Sequence, residues 1–104
     1  MRRVIDQYAS AYGQLNAAGV RSVWPSVDER ALTKAFADLS AQSVSFDDCD
    51  ISVIGVAARA SCRGPASYVR KYGNQEPHKE RHTVRFELKR EGDVWKIQKA
   101  ETRK

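Results

Sequence analysis

The sequence predicts an α+β domain in which N-terminal helices pack on the concave face of a curved antiparallel four-stranded sheet. Three observations carry this reading. Apolar residues recur at helical spacing through the first part of the chain, alternate at strand spacing after it, and fall on shared faces on either side of two Gly-containing turns. At 104 residues the chain is sized for one domain, 1–104, with a modest core. Charged residues make up 30% and hydrophobic residues 41% of the chain, which excludes a disordered or fibrous protein.

Between Arg2 and Ala18, residues Val4, Tyr8, Ala11 and Leu15 form one stripe, flanked by Ile5 and Tyr12. This predicts a first helix, which Gly19 terminates. "VRSVW" is at most one or two turns, closed by Pro25, which drives Trp24 out of helical geometry. Ser26 and Glu29 have the spacing of a capping box, and Asp28 and Glu29 suit the positive end of a helix. Val27, Ala31, Ala35 and Leu39, with Leu32 and Phe36 beside them, then predict a second long helix ending near Leu39.

Strands follow. Val44 and Phe46 share one parity, and Cys49, Ile51 and Val53 the other, so a bulge at Asp47–Asp48 is expected to restore one apolar side and bend the strand. With Gly55–Val56 as the loop, Ile54 faces Ala57, Val53 faces Ala58, Ile51 faces Ala60 and Cys49 faces Cys62. Any one-residue slip breaks that match. After Cys62, the Gly and Pro residues of "RGPASYVRKYGNQEPHK" predict a strand fraying into a polar loop that contains His78. "RHTVRFELK" and "VWKIQKA" form the last pair. With Glu91–Gly92 as the turn, Leu88 meets Trp95, Phe86 meets Ile97 and Val84 meets Lys99.

"VIDQYASAYGQLNAAGV", "ISVIGVAARASC" and "VRFELKREGDVWKI" resemble the opening helix, a strand with its returning partner, and the closing hairpin of the nuclear transport factor 2-like superfamily. That superfamily includes SnoaL-like proteins and ketosteroid isomerases, with their cystatin-like α+β architecture. The segment "VWPSVDERALTKAFADL" with the Cys-flanked hairpin resembles versions appended to bacterial multidomain proteins such as serine/threonine kinases. The resemblance implies a cone-shaped fold whose opening is a ligand pocket in some members. The strand that carries the isomerases' general-base aspartate is missing here. Inward positions of the late strands hold Val84, Phe86, Leu88, Trp95 and Ile97 where those enzymes place an acidic partner. Tyr8 or Tyr12 matches only the remaining hydroxyl of that set, and one donor without a base gives no proton transfer.

The reading therefore runs against an enzyme. It favours a noncatalytic ligand- or protein-binding accessory or sensory domain of a larger bacterial protein. The alternative is a small SnoaL-like enzyme, of isomerase or hydrolase type, acting on an apolar molecule in the cone. Tyr8, Tyr12, Trp24, Phe36, Tyr68, His82 and Trp95 are the pocket candidates, with plain core packing as the competing role. His82 has inward parity and is expected across from Glu101 at the open end of the sheet.

Cys49 and Cys62 are left open between a disulfide and two reduced core thiols; without neighbouring His they do not make a metal site. "FDDCD" lacks the ligand spacing of a calcium loop, and no motif calls for a cofactor. The net charge of +5 is scattered. Arg59, Arg63, Arg85, Lys89 and Lys96 are expected on the outer sheet face, relieved only by Glu87, with no aromatic to stack a base. Nucleic acid is thus disfavoured as a partner. A small apolar molecule or a neighbouring protein domain is favoured, and the like charges argue for a monomer or weak dimer. No apolar run spans a bilayer, and the N-terminus does not read as a signal peptide. A disulfide would place the domain in the periplasm or at the cell surface; otherwise the cytoplasm is expected.

Overall fold

The computed structural model describes residues 2–73 and 75–103. Helices α1 (Arg2–Gly13), α2 (Ala17–Val23) and α3 (Glu29–Ala37) precede strands β1 (Leu39–Val44), β2 (Asp48–Ile54), β3 (Ala57–Arg70), β4 (His78–Glu91) and β5 (Val94–Arg103). The antiparallel sheet runs β1-β3-β4-β5, with β2 also paired to β3. β1 and β2 lie one after the other along the same edge of β3, so five strands fill four positions.

The join between β1 and β2 is the expected bulge. Val44 lies opposite Ala66 and Asp48 opposite Arg63, while Asp47 N also donates to Arg63 O, which leaves one extra residue at Asp47–Asp48. Gly64 makes this kink possible, because a Cβ there would sit 2.0 Å from Ser45 O. Phe46 swings inward at the kink and meets Phe86 edge-on at 5.9 Å.

β3 does not fray after Cys62. It continues to Arg70, and its pairing with β4 runs from Ala57–Lys89 to Tyr68–His78, so His78 opens a strand rather than sitting in a loop. Pro65 is tolerated in this central strand because its backbone polar side faces the bulge. Its carbonyl accepts from Ser45 N, and the N–H it lacks falls where the ladder is already interrupted.

The β2–β3 hairpin has the expected register at every apolar pair, Cys49–Cys62 included. The β4–β5 hairpin does not. Its turn is Gly92–Asp93, since Glu91 pairs with Val94, and Leu88 faces Ile97 rather than Trp95. A bulge beside Leu88 then sets Glu87 against Lys99, Phe86 against Ala100 and Val84 against Thr102. Lys99 consequently lies on the outer face, and Ala100 replaces it inside.

The helical layer also departs from expectation. The first helix stops at Gly13, because Leu15 adopts φ 54° while Leu15 N bonds Tyr12 O and Asn16 N bonds Ala11 O. This is a Schellman stop with leucine in the left-handed position. Asn16 then caps α2 by accepting from Gly19 N, so Gly19 lies inside a helix it was expected to end. Asp28, not Ser26, caps α3, and that helix ends before Leu39, which starts β1. Ser26 is used elsewhere: its hydroxyl accepts from the Trp24 indole N–H at 3.1 Å and donates to Gln98 O at 3.3 Å.

The helices cover the concave side of the sheet, where Ile5 and Val20 meet Phe86, Ile97 and Cys62, all fully buried. Burying such side chains stabilises by about 1.5–3 kcal/mol each. Cover is incomplete at the β2 edge. Ile51 and Val53 have inward parity, yet they remain 41% and 54% exposed.

Candidate functional site

The sheet and α1 enclose a cavity of about 110 Å³ at the open end of the cone. Tyr8 and Tyr12, one turn apart on α1, form one wall with ring centroids 4.6 Å apart. Gln42 of β1 and Tyr68 of β3 form another, and Glu80, His82 and Thr102 complete the lining from β4 and β5. The pleat accounts for this grouping: His78, Glu80, His82 and Val84 alternate along β4 and share its inward side.

Burial, reinforced by the adjoining Tyr12 hydroxyl, pushes the Tyr8 hydroxyl far above the usual phenol range. Burial likewise raises Tyr12. Both are therefore neutral hydrogen-bonding groups rather than phenolate bases. His82 Nε2 lies 2.8 Å from Glu80 Oε2, with both side chains partly buried. The expected partner Glu101 is elsewhere: the register places it opposite Arg85 on the outer face, where it pairs with Lys99 at 3.0 Å. The Lys99 ammonium holds the Glu101 carboxyl below the usual carboxylate range. Among the described residues, the buried Gln42 Oε1 and His78 Nε2 have no hydrogen-bond partner. His78 stacks flat on Tyr68 at 4.8 Å, and the Arg70 guanidinium lies 5.9 Å from the same ring.

Of the seven pocket candidates, Tyr8, Tyr12, Tyr68 and His82 surround this cavity. The other three lie outside it, Trp24 and Phe36 against its tyrosines and Trp95 at the far end of the hairpin. Trp24 leans on Tyr8 at 6.5 Å, Phe36 meets Tyr12 edge-on at 5.4 Å, and Trp95 lies under Arg90 near the β4–β5 turn. Glu80 and Gln42 were missed. Glu80 shares the parity of His82 and becomes visible once β4 is started at His78.

The remaining sequence candidates have local roles. Cys49 and Cys62 form a disulfide with an S–S distance of 2.06 Å. Asp48 and Asp50 both engage Arg63, and Asp47 engages Arg81, so the carboxylates of "FDDCD" face guanidinium groups. The outer sheet face is mixed in charge rather than basic. Arg59 approaches Glu87 at 4.0 Å, Glu101 adds a further carboxylate, and Lys96 donates instead to Ser22 O at 2.6 Å. Open hollows of about 420 and 700 Å³ follow this face. No helix among the described residues is long and apolar enough to cross a membrane.

No family model and no curated protein matches the sequence. Solved structures do. A nuclear transport factor 2-like superfamily protein from Salmonella enterica superposes with a TM-score of 0.84 at 13% identity, covering 97% of this chain and 85% of that one. A hexachlorocyclohexane dehydrochlorinase superposes at 0.78 with 8% identity, covering 97% and 80%. Bd1075 of Bdellovibrio bacteriovorus gives 0.71 at 11% identity, covering 98% of this chain and 39% of that one. At these identities the likeness is one of architecture, and it agrees with the curled antiparallel sheet and its three helices: this chain has the nuclear transport factor 2-like cone fold.

Proposed function

We propose that the chain is a noncatalytic, protein-binding accessory domain of a larger bacterial protein, working outside the reducing cytoplasm. One observation carries the reading: the cone is filled. Phe86, Ile5 and Ile97 occupy its base, and the space left at the mouth is about 110 Å³, against roughly 300–1,000 Å³ for a site that engulfs an organic substrate. The Cys49–Cys62 bond supports an oxidising compartment. The Bdellovibrio match supports use within a longer chain, since the stretch similar to this fold is 39% of that protein. The test is a melting experiment on the oxidised protein with a panel of apolar ligands. No saturable shift is expected, and a saturable rise of more than about 3 °C, roughly 0.5 kcal/mol for a domain of this size, overturns the reading.

A second reading, a small SnoaL-like enzyme acting on an apolar molecule, is favoured by the Glu80–His82 pair at the same cavity as Tyr8 and Tyr12. It requires the mouth to open around a ligand. Its signature is a ligand-induced shift that both His82→Phe and Tyr12→Phe abolish.

A further inference from the structure

We propose that the free edge of β2 pairs with the β2 edge of a second copy of this chain, antiparallel about a two-fold axis at Ser52, joining two cones through one continuous sheet. This goes beyond the binding role above and stands independently of the cavity.

The two-residue turn makes Ile54–Ala57 the hydrogen-bonded closing pair, so the alternation along β2 turns the backbone N–H and C=O of Cys49, Ile51 and Val53 away from β3. The Cα separation of Cys49 and Cys62, 4.0 Å, agrees with a non-hydrogen-bonded pair. Among the described residues, β2 pairs only with β3, so its outward groups form an open strand template. Arg2 Nη2 donates to Phe46 O at 2.9 Å, ending the open stretch on the α1 side.

Exposed strand edges are commonly guarded by charged side chains, proline, a bulge or a covering segment; from Ile51 to Ile54 β2 has none of these, the bulge and Asp48 lying before that stretch and Asp50 on its outer side. It carries hydrophobes instead. Ile51, Val53, Ile54 and the turn residue Val56 are four of the six large apolar side chains exposed among the described residues.

The occupant follows from the match of this strand to itself. With Ser52 on the axis, Ile51 faces Val53 of the second copy and Val53 faces its Ile51, and each of these pairs exchanges both backbone hydrogen bonds. Ile51 and Val53 of both copies then meet on the inward side of the joint, with Arg2 on Cys49 at its rim. Asp50 falls opposite Ile54, so no like charges oppose one another. The other sheet edge cannot serve as the partner. β5 is interrupted by the bulge beside Leu88, Ser26 already occupies Gln98 O, and Lys96 is drawn to α2. Growth from β2 onto β5 is therefore blocked, and the match of β2 to itself favours a closed two-fold pair.

Sedimentation equilibrium on the oxidised chain tests this. A concentration-dependent dimer is expected, with Ile51→Lys/Val53→Lys and Ile51→Glu/Val53→Glu each weakened by about 100-fold or more as homodimers. An equimolar mixture of the two restores the dimer. Both sites are exposed, and unchanged circular dichroism, with unchanged melting below the dimer concentration, will show that the variants fold. Ser52→Cys is expected to give a dimer covalently linked at residue 52 on oxidation, because Ser52 faces itself in a close pair. A chain that stays monomeric up to about 1 mM overturns the proposal. So does a dimer that ignores the residue 51/53 variants, or one abolished instead by Arg85→Glu on the outer face.

Discussion

The two hairpins turn in the same way and differ in almost everything else. Each places its glycine first in a two-residue loop, with φ 61° at Gly55 and 62° at Gly92, while Val56 and Asp93 stay at negative φ; this is the type II′ arrangement. From there β2–β3 runs in uninterrupted register, is fixed by the Cys49–Cys62 bond, and exposes its apolar tip and outer edge. β4–β5 carries a bulge, buries Leu88 and Ile97, and has its outer edge covered by the Ser26 hydroxyl. Identical turn chemistry thus serves two ends. One hairpin builds the core, and the other holds its shape without being covered by it.

Substitutions should separate these roles. The largest effect is expected at the kink that joins β1 to β2. Gly64→Ala drives a Cβ against Ser45 O at 2.0 Å and Phe46 Cα at 2.8 Å, which only backbone movement can relieve. A loss of about 4 kcal/mol is expected by urea denaturation. A loss under about 1 kcal/mol would mean that the bulge shifts freely and does not hold the bend.

Next comes the covered hairpin. Ile97→Ala empties a fully buried site and should cost about 3 kcal/mol, whereas Val53→Ala, on the uncovered hairpin, should cost about 0.5 kcal/mol when measured below the dimer concentration. Equal costs would erase the distinction. Removing the disulfide as Cys49→Ala/Cys62→Ala should cost about 3 kcal/mol, through the unfolded-state entropy of the closed loop, with the β2–β3 register retained. Amide exchange that stays slow in β4 but becomes fast in β2 would show the clasp acting locally.

The hairpins also differ in how far their sequences betray them. In β2–β3 the small, apolar and Cys residues match across the turn in only one register, and the structure adopts it. In β4–β5 the bulge hides the match. Carrying strict alternation past Leu88 places Lys99 inside, and that misplaced charge was the available sign that a residue had to be skipped. The helix break was less visible, since the apolar stripe continues through Leu15 and no glycine marks the left-handed position. The sequence marks Ser26 as the cap and Asp28 only as a charge suited to the positive helix end; the tertiary bonds of Ser26 to Trp24 and Gln98 leave capping to Asp28. Helical spacing places Tyr8 and Tyr12, and strand parity His82, where the structure has one cavity; the fraying expected after Cys62 gives Tyr68 no side, and only the continued β3 brings it to the same wall. Parity does not supply Glu80 while β4 is taken to begin at Arg81, and unbroken alternation gives His82 the wrong partner, Glu101.

The smallest expected effect probes the turns themselves. Neither Gly55 nor Gly92 has a neighbour within 4 Å of the position a Cβ would take, so packing plays no part at either site and the backbone conformation alone sets the cost. Gly55→Ala and Gly92→Ala should each lose about 1 kcal/mol, the penalty for holding an L-residue at positive φ, and should do so equally despite the different burial of their hairpins. Asp93→Ala should change stability by less than about 0.5 kcal/mol, because the second loop position needs no positive φ. A large loss at Asp93 with none at Gly92 would place the turn one residue along, and the β4–β5 register with it. If Gly55 and Gly92 respond alike, the contrast between the hairpins begins beyond their turns, in what each strand is packed against.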